Sequence, residues 1–397
     1  MLISSARNAR NSVRVAVEAL LPAIRGAAEQ CERERRVPAA NIALLRDAGA
    51  FRVLQPKRFG GYEESVESFF DIVAAIGSAC ASTGWVYGVC GVHQWVIAQF
   101  PDAAQADVWP DGSQALISGT YAPAGKAVQV SGGFRLSGRW SFASGCDYAD
   151  WHFVGALCED ASGSPLDMGF LLLPAGDLEF HDNWFVGGLC GTGSKDVSVA
   201  DVFVPEHRVL WLRDALAAAT PGNAVNTAAL YRLPFFTVVT LSIVSPIVGA
   251  AEGALRAFVE DGRVRQRRGA PLSVKSKAAD SIVMQARIAE AAGLIEAARM
   301  LIVRDLAATT AAAESEGVDV EMRIRNRRDY ALAVRLCSQA IDALYSCSGA
   351  AGLFVPNVLE RAWRDVHGAA KHVGLNWDSI GPMFGQHVLG EVVRGQY

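Results

Sequence analysis

Fifteen residues near the C-terminus, "RDVHGAAKHVGLNWD" (Arg364 to Asp378), hold two histidines, an asparagine and two aspartates, enough side chains for a metal site or a proton transfer. On a continuous helix, residues three, four, seven and eleven apart share a face, which would align Asp365, His372 and Asn376. His367 and His372 are five apart, about 140° around the axis, so they cannot grip one ion as an i, i+4 pair does. No metal site is expected. A His372/Asn376 polar pair remains, useful for chemistry if its face opens on a pocket and otherwise a hydrogen-bonded surface pair.

The elements that would position such a pair fall into three blocks. Up to residue 112 the pattern is helical, in "PAANIALLRDAGAF", "SVESFFDIVAAIG" and "STGWVYGVCGVHQWVIAQF". Residues 113–219 carry short β-type runs punctuated by Gly, Pro, Asp and Ser, among them "ALISGTY", "KAVQVSGGFRLSGRWSF" and "DVSVADVFVP". From 220 to 397 long helical periodicity returns. This order predicts an α+β fold with an N-terminal helical domain, a central β-domain and a C-terminal helical bundle. The uncharged run from Leu233 to Ala251 approaches membrane-spanning length, but Pro234, Pro246 and several hydroxyl residues interrupt it. Small residues at Gly249 and Gly253 mark it as a helix buried on all sides, so no membrane contact is expected.

Composition narrows the function. The chain has 397 residues, is 51% hydrophobic and has a net charge of −4, with arginines only in scattered groups such as "RVRQRRG" (Arg263 to Gly269). Charge therefore disfavours nucleic acid as a partner. Eight cysteines occur with no CxxC pair, which disfavours zinc and a disulfide framework and fits a cytoplasmic setting. "GGLCGTGS" (Gly187 to Ser194) is rich in glycine, but strands are expected on both sides, so it does not open the helix a nicotinamide dinucleotide site requires.

Several motifs together resemble the acyl-CoA dehydrogenase superfamily over nearly the whole chain: "LRDAGAFRVLQPKRFGG", "SGRWSFASGCDYAD", "DVFVPEHRVL", and "SGAAGLF" followed by "RAWRDVHG". The resemblance implies that the strand around Trp140 to Ser144 covers a flavin ring and that the turn holding Gly349 approaches cofactor from a neighbouring subunit of a homotetramer. The carboxylate base of the dehydrogenases is missing. Asn376, Trp377 and Tyr231 stand about where an acid belongs, and Asp378 is the nearest carboxylate.

"GVHQWVIAQFP", "LISGTYAP", "GRWSFASGCDYADW" and "KHVGLNWD" look instead like the two-component flavin monooxygenases on this fold, the branch of 4-hydroxyphenylacetate and secosteroid phenol hydroxylases. That similarity implies an oxygenase that takes FMNH2 or FADH2 from a separate NAD(P)H:flavin reductase. It would react this reduced flavin with O2 to a C4a-hydroperoxide and hydroxylate a small aromatic substrate: a phenol, polyketide or indole. It implies catalytic roles for His93, Ser118 and His372, with Asn376 supporting His372. Flavin contacts are expected from Ser118, Thr120, Trp140, Ser141, Ser144, Arg267 and Gly349, and substrate contacts from Tyr121, Trp377 and Asp378. The division of labour between His93 and His372 stays open. Among the tryptophans only Trp140 and Trp377 stand out from ordinary core residues; Trp85 does not. Attack on nitrogen or sulfur, and a dehydrogenase or oxidase with an unrecognised base, are the alternatives.

Overall fold

The computed structural model describes residues 2–264 and 278–397. Arg267 lies outside the described residues. Six helices come first: α1 (Leu2–Gly26), α2 (Ala28–Glu34), α3 (Ala39–Asp47), α4 (Val66–Ala79), α5 (Ala81–Ile97) and α6 (Asp102–Val108). Seven strands follow, β1 (Ile117–Val130), β2 (Gly133–Ala143), β3 (Trp151–Glu159), β4 (Pro165–Pro174), β5 (Glu179–His181), β6 (Lys195–Pro205) and β7 (Val209–Trp211). The chain then returns to helix in α7 (Leu212–Ala217), α8 (Phe235–Val264), α9 (Ile282–Glu314), α10 (Val320–Ser346), α11 (Val358–Ala369) and α12 (Trp377–Val388). The α+β order expected from the sequence is the order observed.

The strands form one sheet in the order β5-β6-β2-β1-β3-β4-β7, antiparallel except for β1 beside β3. Its two faces follow the period of two along each strand. Ile117, Phe153, Phe170, Leu172 and Leu210 join the main core against the helices, whereas Trp140, Val154, Leu171, Leu173, Val197 and Val199 form a second core on the other face. The sheet is therefore buried on both sides near its centre, and the start of β1 lies against α5.

Helix α8 is the axis of the helical part. Every residue from Phe235 to Ala251 is buried, and the helix packs on α4, α5, α10 and α11. An apolar run of this length is here covered by protein. Gly249 and Gly253 explain the closeness to α4: a Cβ on either would meet the carbonyl oxygen of Ala74 at 2.0 Å or of Ser78 at 2.2 Å. These helices touch backbone to backbone, which only glycine permits.

The C-terminal stretch corrects one expectation. "RDVHGAAKHVGLNWD" is not a single helix: α11 ends at Ala369, a turn carries His372, and α12 starts at Trp377. Asn376 is the N-cap of α12. Its Oδ1 accepts the N–H groups of Asp378 (2.9 Å) and Ser379 (3.2 Å). The reason is local. Gly374 and an Asx-type residue form a stop-and-restart signal that outweighs the helical spacing of the surrounding side chains.

Candidate active site

Trp85, in the second turn of α5, is the hub of the candidate site. Its indole Nε1–H donates to Ser144 Oγ at 3.1 Å, and its ring meets that of His372 edge-on with centroids 6.0 Å apart. Ser144 follows the end of β2, and the His372 turn joins α11 to α12, so one tryptophan ties together an N-terminal helix, the sheet and the C-terminal helices. Trp85 also lines a narrow apolar crevice with Ala81, Leu189, Pro246, Ile247, Ala250, Asp365 and Val366.

Below Trp85 runs a chain of hydroxyls. Ser144 Oγ lies 2.7 Å from Ser194 Oγ, Ser194 Oγ lies 2.7 Å from Thr192 Oγ1, and Thr192 Oγ1 donates to the Leu189 carbonyl at 2.9 Å. The loop that carries Thr192 and Ser194 is the glycine-rich "GGLCGTGS". Leu189, at φ +54°, is held by Asp365, whose Oδ1 accepts the Leu189 N–H at 2.6 Å. Asp365 is buried, and burial pushes its carboxyl up to about 7 while the Leu189 hydrogen bond pulls the other way. It is the carboxyl lining the Trp85 crevice, and with Oδ1 committed to Leu189 it acts as an anchor for the hydroxyl loop.

Ser118 and His93 sit further along. Ser118 is fully buried on β1 and donates to the Ser144 carbonyl at 2.9 Å, so its proton is already used inside the protein. His93, on α5 two turns beyond Trp85, places Nδ1 2.9 Å from the Ile117 carbonyl. Tyr121 and Phe153 meet its ring edge-on at 5.8 Å and 4.6 Å. Burial lowers the His93 imidazole to about 3, so it is neutral at ordinary pH. A neutral ring facing a carbonyl must carry its proton on Nδ1, which leaves Nε2 as the bare, accepting nitrogen.

His372 is arranged the other way. Its Nδ1 accepts the Gly374 N–H at 3.0 Å, so the neutral ring carries its proton on Nε2 and offers a donor. Its surface is partly open to solvent although protein surrounds it closely. This crowding, with a smaller contribution from the Arg327 charge, lowers its imidazole to about 4. Arg327 is itself buried at 3% exposure, bonded to Thr240 Oγ1 on α8 and to the Gln396 carbonyl.

The other expected residues scatter. Thr120 Oγ1 and the Tyr121 hydroxyl are buried without a partner, the kind of orphaned polar atom a bound ligand satisfies. Trp140 does not face a ligand site. It is 1% exposed in the second core, with its Nε1 donating to the Gly155 carbonyl at 2.7 Å and its ring filling the space beside Gly125 and Gly138. Strand alternation sends it inward and leaves Ser141 on the exposed side, bonded to Asp196. Gly349 lies in an exposed turn at φ +67°.

Asn376 is occupied as a helix cap and gives His372 no side-chain support. Trp377 packs on α10 with Ile324, Ala331 and the Arg335 guanidinium, and Asp378 is exposed. Tyr231 donates to the Leu54 carbonyl in the core. The reading of single motifs thus favoured Trp140 over Trp85, passed over Thr192, Ser194 and Arg327, and placed Asp365 on a helix face with His372 and Asn376 where the structure instead sets it against Leu189. A signal for Trp85 existed: it shares an unusually buried helix with His93.

An indole, two neutral imidazoles and a chain of hydroxyls lie where N-terminal helices, sheet and helical bundle meet, in the order of the acyl-CoA dehydrogenase fold, and among the described residues the carboxyl at the Trp85 crevice is the Leu189-bound Asp365. Residues 5–112 match the family described as acyl-CoA dehydrogenase, N-terminal domain, and residues 241–377 match acyl-CoA dehydrogenase, C-terminal domain. The chain is 41% identical to the oxygenase component of an FADH(2)-dependent resorcinol hydroxylase from Rhizobium sp. strain MTP-10005, over 94% of this chain and 93% of the relative. It is 40% identical to the oxygenase subunit HsaA of a flavin-dependent monooxygenase from Mycobacterium tuberculosis, over 96% and 95%. Among solved structures, the 3-HSA hydroxylase of Rhodococcus sp. RHA1 superposes with a TM-score of 0.91 at 38% identity, covering 97% and 98% of the two chains. XiaF from Streptomyces sp., in complex with FADH2 and glycerol, superposes with a TM-score of 0.92 at 29% identity, covering 99% of each. The chain belongs to the acyl-CoA dehydrogenase fold family and, within it, to the oxygenase components of flavin-dependent monooxygenases.

Proposed function

We propose that this chain is the oxygenase component of a two-component system that hydroxylates a small aromatic substrate, most directly a phenol, with reduced flavin and O2. A separate NAD(P)H:flavin reductase supplies the reduced flavin. The carrying observation is that Trp85 links the Ser144 hydroxyl to the His372 ring beside a crevice whose lining carboxyl, Asp365, already accepts from Leu189. Relatives named as hydroxylases of resorcinol and p-hydroxyphenylacetate and as a monooxygenase of indole-3-acetate support an aromatic substrate. Bound reduced flavin supplies the two electrons that let one atom of O2 enter the ring while the other leaves as water.

The residues divide the remaining work. Ser144 and Thr120 present polar atoms to the flavin, Tyr121 on the His93 side of β1 presents its hydroxyl to the substrate, and Trp85 forms an apolar wall that keeps water from the reacting atoms. His372, exposed to the cleft, donates from Nε2–H to an oxygen of the substrate or of the activated dioxygen. His93 accepts through Nε2, the polarity suited to a hydrogen bond from a phenol O–H, and so orients the substrate's hydroxyl while charge builds on the ring. In this reading the two histidines are not interchangeable. Gly349 and the exposed Leu353, Phe354 and Val355 beside it favour a homotetramer in which this turn meets a neighbouring copy.

Mixing the anaerobic protein and FMNH2 or FADH2 with oxygenated phenols or indoles in a stopped-flow instrument tests the reading. The expected result is a long-lived absorbing transient and a product labelled from 18O2. Protein purified with tightly bound yellow flavin that is bleached anaerobically by an acyl thioester would instead identify a dehydrogenase.

A further inference from the structure

Two of the eight cysteines meet although 49 residues separate them. Cys31 is buried on α2, Cys80 is the N-cap of α5 at 6% exposure, the two helices pack directly, and each thiol is the other's leading polar partner. The place favours a sulfur anion. Cys80 stands at the positive end of a 17-residue helix, whose first N–H groups have no partner within the helix. Thr83 lies one turn on, and its Oγ1 is fully buried without a hydrogen bond, an orphaned donor that a thiolate at Cys80 would satisfy. Cys31, with Thr83 adding to it, holds the Cys80 thiol below the ordinary thiol range, while Cys31 itself is held above it by Cys80 and by burial. Burial pushes Cys90, Cys146, Cys158, Cys190 and Cys337 upward. Cys80 differs from them in having a helix end and a second sulfur beside it.

We propose that Cys80 and Cys31 form a peroxide-responsive dithiol beside the candidate site, with Cys80 the attacking sulfur and Cys31 the resolving one. The oxidant is hydrogen peroxide, which reduced flavin and O2 release whenever no substrate is hydroxylated. The Cys80 thiolate attacks one peroxide oxygen, the O–O bond breaks, hydroxide leaves with the electron pair, and a sulfenic acid remains. The Cys31 sulfur then attacks the sulfenic sulfur, its proton and the hydroxyl leave as water, and an S–S bond forms. Two thiols lose two electrons and one peroxide becomes two waters. Ala81, next to Cys80, lines the Trp85 crevice, so the pair borders the place where this peroxide would form. Its oxidation reaches the glycine-rich loop. Cys31 Sγ donates to the Gly191 carbonyl at 3.7 Å, and a Cβ on Gly191 would lie 2.3 Å from that sulfur. A cystine has no S–H, so this contact is lost one residue from Thr192. The sulfur chemistry stands apart from the flavin reading, and only its effect on turnover rests on it.

Treating the folded protein with hydrogen peroxide, followed by thiol counting and non-reducing peptide mapping, tests this. The wild type should lose two of its eight free thiols, yield a Cys31–Cys80 cross-linked peptide, and recover both thiols in dithiothreitol. Hydroxylation should fall in proportion to the cystine formed and return with the thiols. Cys31→Ser removes the resolving sulfur, so oxidation should stop at a sulfenic acid that dimedone captures on Cys80. Cys80→Ser keeps a good helix cap and should form neither product, with turnover unchanged through the same peroxide dose. An unchanged thiol count, or peroxide consumed at Cys190 or Cys347 with no Cys31–Cys80 link, overturns the inference. A cystine that leaves turnover unmoved overturns its action on the loop. A wild type without turnover before treatment overturns the reading of the flavin site, while the peptide map still decides the dithiol.

Discussion

Replacing Asp365 with asparagine should make the protein more stable, and more so as the pH rises. Asp365 is buried at 5% exposure on α11, and its Oδ1 holds the Leu189 N–H. Burial raises its carboxyl from 3.8 to about 7. The native state therefore keeps the proton over a range in which the unfolded chain has lost it, and this contribution is complete below 3.8 and lost as the pH rises through about 7. At about 1.4 kcal/mol per pKa unit, a shift of about three units penalises the native state by about 4 kcal/mol above pH 7. Roughly a third of that has accrued by pH 5. Asparagine keeps an oxygen for Leu189 but never ionises. Asp365→Asn should accordingly gain about 3 kcal/mol on the wild type between pH 5 and pH 8, read as the separation of their urea midpoints multiplied by the slope. Asp365→Ala, which strips the Leu189 amide of its acceptor, should instead be destabilised by about 1–3 kcal/mol at pH 5 relative to asparagine. A constant difference between Asp365→Asn and wild type across this pH range would refute the claim that this carboxyl stays protonated in the folded state.

Three further outcomes follow from the same geometry. His372→Ala should lower coupled hydroxylation by about 100-fold, with the lost oxygen appearing as hydrogen peroxide and flavin affinity within about threefold of wild type, as product and peroxide assays will read. Asn376→Ala should remove only a helix cap, lowering stability by about 1 kcal/mol in urea while turnover stays within about twofold; a hundredfold loss of turnover would return Asn376 to the chemistry. His152 is buried on β3 with both ring nitrogens unpartnered, and burial lowers its imidazole to about 3. The native ring stays neutral where the unfolded one is charged, so stability is lost as the pH falls from 6.5 towards 3; His152→Leu should remove that loss and gain about 2 kcal/mol on the wild type between pH 7 and pH 5 in urea titrations.

Much of the fold was legible because it rests on local periodicity. The switch from a period of 3.6 to 2 and back marks the β-domain, and the charge-free stretch around Pro246, with Gly249 and Gly253, announces a helix gripped on every side. Residue types also pointed to the candidate site: His93, Ser118, Ser144 and His372 lie in motifs whose resemblance names the enzyme class. Other features are not local quantities. Whether a strand tryptophan faces a ligand or the core depends on which way the sheet turns, and Trp140 turned inward. Whether a helical spacing of polar residues is realised depends on a break that Gly374 and Asn376 impose.

The hydroxyl chain belongs wholly to the tertiary structure. Trp85, Ser144, Thr192, Ser194 and Asp365 come from α5, the end of β2, the glycine-rich loop and α11, far apart in the chain. Sequence supplies hydroxyls, an indole and two imidazoles. Only folding determines which nitrogen of each histidine keeps its proton and which way the serines point, because a donor's direction is set by the acceptor that packing places opposite it.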